Sequence, residues 1–343
     1  MMKLNNKYWV LFLSLFFIKL VVFVVLIKKI YLGADADYYH LYVLGIENKY
    51  YSFWQTMLVF LNDVGFYNRE YLKLTLFFIS SLFIPLLFAY NIQKDFKKNE
   101  FWFVCFIASF YPSLYYFSLD IYRDIFMVLI FLIAITFLKL SLNSKNKMFS
   151  ILFILLFIGI SFHLISWRPY LGAALIVSFF ISFFIKYFFV KHIVIFYIST
   201  LISIYYFGLM DPLLSYRGAN GFELGNTSFH IGLIDKNILE FFILYVYNIF
   251  LQLFGIYFVN IKSVFVFLLE TVPFVIAIFY LFKNKKYIND YHIFLLLFFT
   301  FYTTIWLLGN DNLGTAIRLR LFSYIVIHLI CLDIYFFKKK KEF

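Results

Sequence analysis

"FFILYVYNIFLQLFGIYFV", residues 241–259, decides how this chain is arranged. The run is long enough to cross a bilayer, whose hydrocarbon core takes about 20 helical residues. It nevertheless carries Asn248 and Gln252. Ten other apolar runs of spanning length lie near 8–27, 74–90, 101–117, 125–140, 148–165, 171–190, 193–210, 264–282, 292–308 and 319–337. Counting 241–259 as an eleventh puts the two chain ends on opposite sides of the membrane. Leaving it out puts them on the same side.

Lysine settles the parity. Its clusters are Lys3/Lys7, Lys94/Lys97/Lys98, Lys139/Lys145/Lys147, Lys186/Lys191, Lys283/Lys285/Lys286 and Lys338 to Lys341. With ten spans all of them fall on one side, which the positive-inside rule makes the cytoplasm. With eleven, "KNKK" (283–286) and the terminal "KKKK" (338–341) would both face out. The expectation is therefore ten spans, with 241–259 as a re-entrant or interfacial helix on the outer face.

Composition agrees with a membrane protein. The chain is 64% hydrophobic and 25% aromatic, against about 45–50% apolar in soluble domains. The expected fold is all-α, a single integral membrane domain over residues 1–343. Its outer loops are 28–73, 118–124, 166–170, 211–260 and 309–318, and both termini are cytoplasmic. Lys3 and Lys7 before the apolar stretch Tyr8–Ile27 read as an uncleaved signal anchor. The net charge of +12 belongs to the orienting lysines, so no nucleic-acid partner is expected. Cys105 and Cys331 lie inside apolar runs and make no disulfide framework. No zinc spacing, phosphate-cradling Gly loop or GxSxG elbow occurs, and neither a metal nor a cofactor is expected.

Chemistry-bearing residues gather in the outer segments. "GADADYYHLY" (33–42) sets Asp35, Asp37 and His40 directly after the first span. In extended chain both carboxylates would share a side, whereas in a helix they would diverge. A solvated cap, with Asp37 as N-cap of "YYHLYVLG", competes there with catalysis. The chain's six arginines, Arg69, Arg123, Arg168, Arg217, Arg318 and Arg320, all fall in or beside outer segments, against the lysine trend. Arginine suits bidentate recognition of phosphate and carboxylate. The plainer reading pairs them with acids nearby, as Arg123–Asp124 and Asp311–Arg318.

Asp120 and Asp124 stand at i,i+4 with Arg123 between them, which on a helix puts both carboxylates on one face. His163 and Arg168 lie near the outer end of a span that Pro169 breaks. "SYRGANGFELGN" (215–226) is turn-forming and reads as a lid or a connector. Lys19 and Glu270 are the ionisable groups at mid-depth, where they could pair with each other.

An apolar first helix followed at once by Asp35 and Asp37 resembles the membrane-embedded glycosyltransferases of the GT-C class. An outer "YRD" (Arg123, Asp124), an outer "WRPY" (Arg168) and a late "GTAIRLR" (Arg318, Arg320) are similar to O-antigen polymerases, which join surface-polysaccharide repeat units. The resemblance covers the chain in topology and some thirty residues in motif. It implies polymerisation of undecaprenyl-diphosphate-linked oligosaccharide at the outer face of a bacterial cytoplasmic (inner) membrane, in lipopolysaccharide or related biosynthesis. The partners implied are the lipid-linked glycan, the bilayer and a chain-length regulator.

Under that reading Asp35 or Asp37 is the catalytic base, with His40 and His163 as competitors. Arg123, Asp124, Arg168, Arg217, Arg318 and Arg320 hold diphosphate or glycan. A transferase adding one sugar from a polyprenyl-phosphate donor, and a lipid-linked oligosaccharide flippase, are the alternatives.

Overall fold

A computed structural model describes residues 7–27, 34–50, 52–92, 98–185, 190–208, 210–219, 228–233 and 236–341. These are almost wholly helical, and the one extended pairing among them is an isolated bridge between Ser228 and Asn312. Backbone contacts divide the chain into two compact units, Met1–Ala173 with Leu332–Phe343, and Ala174–Cys331.

The first unit is built from α1 (Lys7–Leu26), α2 (Ala34–Val43), α3 (Phe53–Asp63), α4 (Arg69–Tyr90), α5 (Lys98–Ala108), α6 (Pro112–Phe117), α7 (Arg123–Asn143), α8 (Lys147–Trp167) and the start of α9 (Pro169–Ile185). The run 101–117, expected as one span, is two helices. Pro112 has no N–H to donate and pushes the preceding Tyr111 to extended backbone, φ −77° and ψ 100°. The carbonyl of Ser109 left over at that break is taken by the ammonium group of Lys19. Lys19 therefore serves the break, and Glu270 has its own partner in the second unit.

α8 and α9 form a sharp corner. Arg168 caps α8 in extended conformation and Pro169 opens α9, where its missing N–H costs nothing. Gly172 lets the two helices touch backbone to backbone, since a methyl there would stand 2.3 Å from the Ser161 carbonyl oxygen. That corner fixes where Arg168 points.

The second unit comprises α10 (Val190–Tyr206), α11 (Asp211–Ala219), α12 (Ile238–Leu253), α13 (Ile261–Lys283), α14 (Asp290–Gly309) and most of α15 (Leu313–Lys341), with the remainder of α9. The deciding run becomes the sixteen-residue α12, which stops at Leu253 ahead of Gly255. Its two amides explain themselves in three dimensions. Asn248 donates to the Leu307 carbonyl at 2.6 Å, and Gln252 donates to the Asn310 carbonyl at 2.7 Å. Asn310 returns a bond to Gln252 Oε1 at 2.6 Å. The last carbonyls of a helix have no partner within it, so α12 caps the end of α14 with buried side chains.

Seven helices among the described residues are long and apolar enough, by length and composition, to cross a membrane: α1, α4, α7, α8, α13, α14 and α15. α9 and α12 are apolar but shorter. This is the architecture of a polytopic membrane protein. Of the ten runs of the sequence count, seven meet that length among the described residues; Pro112 splits the run 101–117 into two shorter helices, and the runs 171–190 and 193–210 include residues outside the described ones.

Candidate functional site

Asp37, Arg69, Asp120, Arg123, Asp124 and Arg168 of the first unit lie at or beside the ends of α1, α4, α7 and α8 opposite Lys7, Lys139 and Lys147. α2 begins at Ala34, so Asp35 and Asp37 occupy its first turn and Asp37 does not cap the helix. Acids in a first turn complement the positive end of the helix dipole, which is the local reason for "ADAD". Asp37 Oδ1 accepts a hydrogen bond from Arg69 Nη2 at 2.7 Å. The same nitrogen donates to Asp120 Oδ2 at 2.7 Å, and Arg69 Nε donates to Asp120 Oδ1 at 3.0 Å.

Arg69 opens α4, where Asn68 caps the helix by accepting from the Glu70 and Tyr71 amides. Asp120 sits in the turn before α7 and also accepts from the Ile121 amide at 2.9 Å. The Asp120 side chain is 1% exposed, Arg69 16% and Asp37 28%. Asp37 is thus the open end of a fixed chain of charge. Trp54 anchors the same turn from α3, its indole N–H donating to the Ile121 carbonyl at 3.0 Å.

His40 lies one turn beyond Asp37, with Nδ1 2.8 Å from the Tyr67 hydroxyl. Burial first, then the charge of Arg69, draws the His40 imidazole below its ordinary value of 6.5. Burial pushes the Tyr67 hydroxyl up to about 12, so the pair is a neutral ring beside a protonated phenol. Asp35 is partly exposed and has partners of its own.

A second group adjoins through α7 and α8. Asp124, fully buried, accepts from Arg168 Nη2 at 2.9 Å, and Arg168 is 5% exposed. Asp120 and Asp124 therefore do not share a helix face. α7 starts only at Arg123, Asp120 lies outside it, and the two acids serve different arginines. The expected Arg123–Asp124 pairing likewise gives way to Arg168–Asp124. Arg123 donates to the Trp167 carbonyl at 3.2 Å and has no carboxylate partner among the described residues. Trp167 donates its indole N–H to His163 Nε2 at 2.9 Å. An indole nitrogen can only donate, so the acceptor nitrogen of neutral His163 is already engaged. Phe126 stacks on Trp167 at 5.6 Å and 18°, and Trp54 and Phe53 flank it.

The remaining arginines belong to the second unit. Arg217 lies in α11, and its side chain falls outside the described residues, as does most of the 215–226 stretch. Arg318 reaches Thr315 Oγ1 at 3.5 Å. Asp311 accepts from the Ser228 hydroxyl at 2.9 Å. Arg320, 2% exposed, faces the fully buried Glu270 at 3.9 Å. Its Nη1 lies where a side chain on Gly255 would be, 2.2 Å from a Cβ placed there.

The structure thus brings Asp37, His40, Arg123, Asp124, His163 and Arg168 to one end of the first unit. It also adds Arg69, Asp120, Trp54 and Tyr67, which the sequence does not single out as site residues. Asp120 is visible in the sequence only through its spacing to Asp124, and Arg69 as a cation against the lysine trend at the start of an apolar run. The partners of Arg69 lie 32 and 51 residues away. Compared with protein-family models, with curated proteins and with solved structures, the chain matches none.

Proposed function

We propose that this protein is a membrane glycosyltransferase working at the extracytoplasmic face, joining polyprenyl-diphosphate-linked repeat units into a surface polysaccharide. Asp37 carries this reading: it is a carboxylate open to solvent on one side and held on the other by a guanidinium that a buried second acid fixes. Such a group can take the proton from an acceptor hydroxyl as its oxygen bonds the anomeric carbon. The bond to the diphosphate breaks with its electron pair leaving on the phosphate oxygen, where a fixed cation stabilises the developing charge. Arg168 and Arg320 are already balanced by Asp124 and Glu270, so Arg123 is the better candidate for that cation. The position of Asp37 directly after α1 favours one second reading, transfer of a single sugar from a polyprenyl-phosphate donor.

The test is complementation in cells lacking the gene. Polymerase loss leaves single repeat units on the lipid anchor, and Asp37→Asn should fail to restore the polymer, with transfer down by about 10²–10⁴-fold. Wild-type chain length from Asp37→Asn at wild-type protein level overturns the proposal. A full-length polymer lacking one sugar selects the single-sugar reading, and glycan absent from the outer surface selects a flippase.

A further inference from the structure

We infer that Arg69 is a built-in counter-ion standing where Asp37 and Asp120 would otherwise gather a divalent cation, so that this end of the first unit carries its positive charge in the chain. Its use in holding Asp37 for proton transfer rests on the function proposed above; the charge balance itself does not. Two carboxylate oxygens, one from α2 and one from the turn before α7, converge on the single atom Arg69 Nη2, each at 2.7 Å. Calcium takes carboxylate oxygens at about 2.3–2.6 Å, so the convergence point is only slightly wider than a cation site.

Asp120 is locked in that pose by the Ile121 amide and by Arg69 Nε, and it is 1% exposed. Two carboxylates this close cannot both stay ionised cheaply without a positive charge between them. The cap made by Asn68 fixes the first turn of α4, and with it the origin of the guanidinium. Among the described residues no group of three or more His, Cys, Asp or Glu side chains is placed to hold a metal. At this cluster the third position is filled by arginine. His40, three residues beyond Asp37 on α2, would supply a further ligand once the guanidinium is gone, in exchange for its bond to the Tyr67 hydroxyl.

The experiment uses the full chain in detergent micelles, with Ca²⁺ and Mn²⁺ as probes and melting temperature and equilibrium binding as readouts. Wild type should melt at the same temperature in EDTA and in millimolar cation, and should show no saturable binding. Arg69→Ala, or the longer Arg69→Gln, should acquire binding that saturates at roughly 0.1–1 mM, the range of weak protein calcium sites. Cation should raise the melting temperature of that variant, and adding Asp37→Asn should abolish both effects. A variant that folds only with cation present supports the inference equally.

Saturable binding by wild type that Asp37→Asn removes overturns it, as does a folded Arg69→Ala that takes up no cation. Failure of both variants to fold even with cation also overturns it, since the guanidinium would then do more than balance charge. None of these measurements reads glycan transfer, so a failure of the proposed function shows separately in the complementation assay.

Discussion

Each unit of this protein holds an arginine against a carboxylate, and the two arrangements differ in what surrounds them. In the second unit Arg320 and Glu270 are 2% and 0% exposed, with Gly255 pressed against the guanidinium and the Tyr324 ring 5.4 Å from it. In the first, Asp37 is 28% exposed at the end of the Arg69–Asp120 fork. A sealed pair has nothing to react with and matters through the cost of losing one member. An open acid held by a buried fork keeps its geometry while leaving an oxygen for a visitor. Burial, rather than residue type, separates a structural ion pair from a reactive one.

The comparison breaks most readily at Glu270. Glu270→Ala leaves the Arg320 charge buried without its carboxylate and should cost about 3–5 kcal/mol of stability. Asp37→Ala, at a part-exposed partner that leaves Arg69 its bond to Asp120, should cost about 1 kcal/mol or less. Thermal unfolding of both variants in the same detergent checks this, and equal losses would erase the distinction between the two regions.

Gly255 sharpens it next. Gly255 and Gly65 have φ of +60° and +76°, yet only Gly255 has a guanidinium in the place a Cβ would take, Gly65 facing open space. Gly255→Ala should therefore destabilise more than Gly65→Ala by about 1–3 kcal/mol, the usual penalty for overpacking. Matching losses would mean that Arg320 moves aside freely.

The smallest effect concerns His40. Its imidazole titrates below 6.5 in the folded chain, so the unfolded chain binds the proton more readily. The stability that depends on neutral His40 is present above about pH 6.5 and is lost as pH falls through the window between that value and the lower folded one. The melting temperature of wild type should drop over that window, and His40→Gln should drop less. An unchanged profile would place the titrating group elsewhere.

Much of the helical layout was legible before the fold. The apolar runs at 125–140, 148–165, 264–282, 292–308 and 319–337 all became helices that contain them, because length and apolarity are local properties. Proline overrides hydropathy locally: Pro112 splits a run that apolarity alone joins. Within the site, Asp37, His40 and Arg168 were visible as polar residues at the rim of a greasy chain. The i,i+4 spacing of Asp120 and Asp124 does not put them on one helix face, because the helix start at Arg123 lies between them.

What the sequence by itself determined is the alternation of apolar helices with short charged connections, since a bilayer-length run of Phe, Ile and Leu has few other ways to satisfy its backbone. Tertiary structure decided who meets whom: Arg69 with acids 32 and 51 residues distant, Asn248 with the end of α14, and Arg320 beneath Gly255. Those meetings depend on how helix ends come together in space, a non-local property that no window of residues encodes.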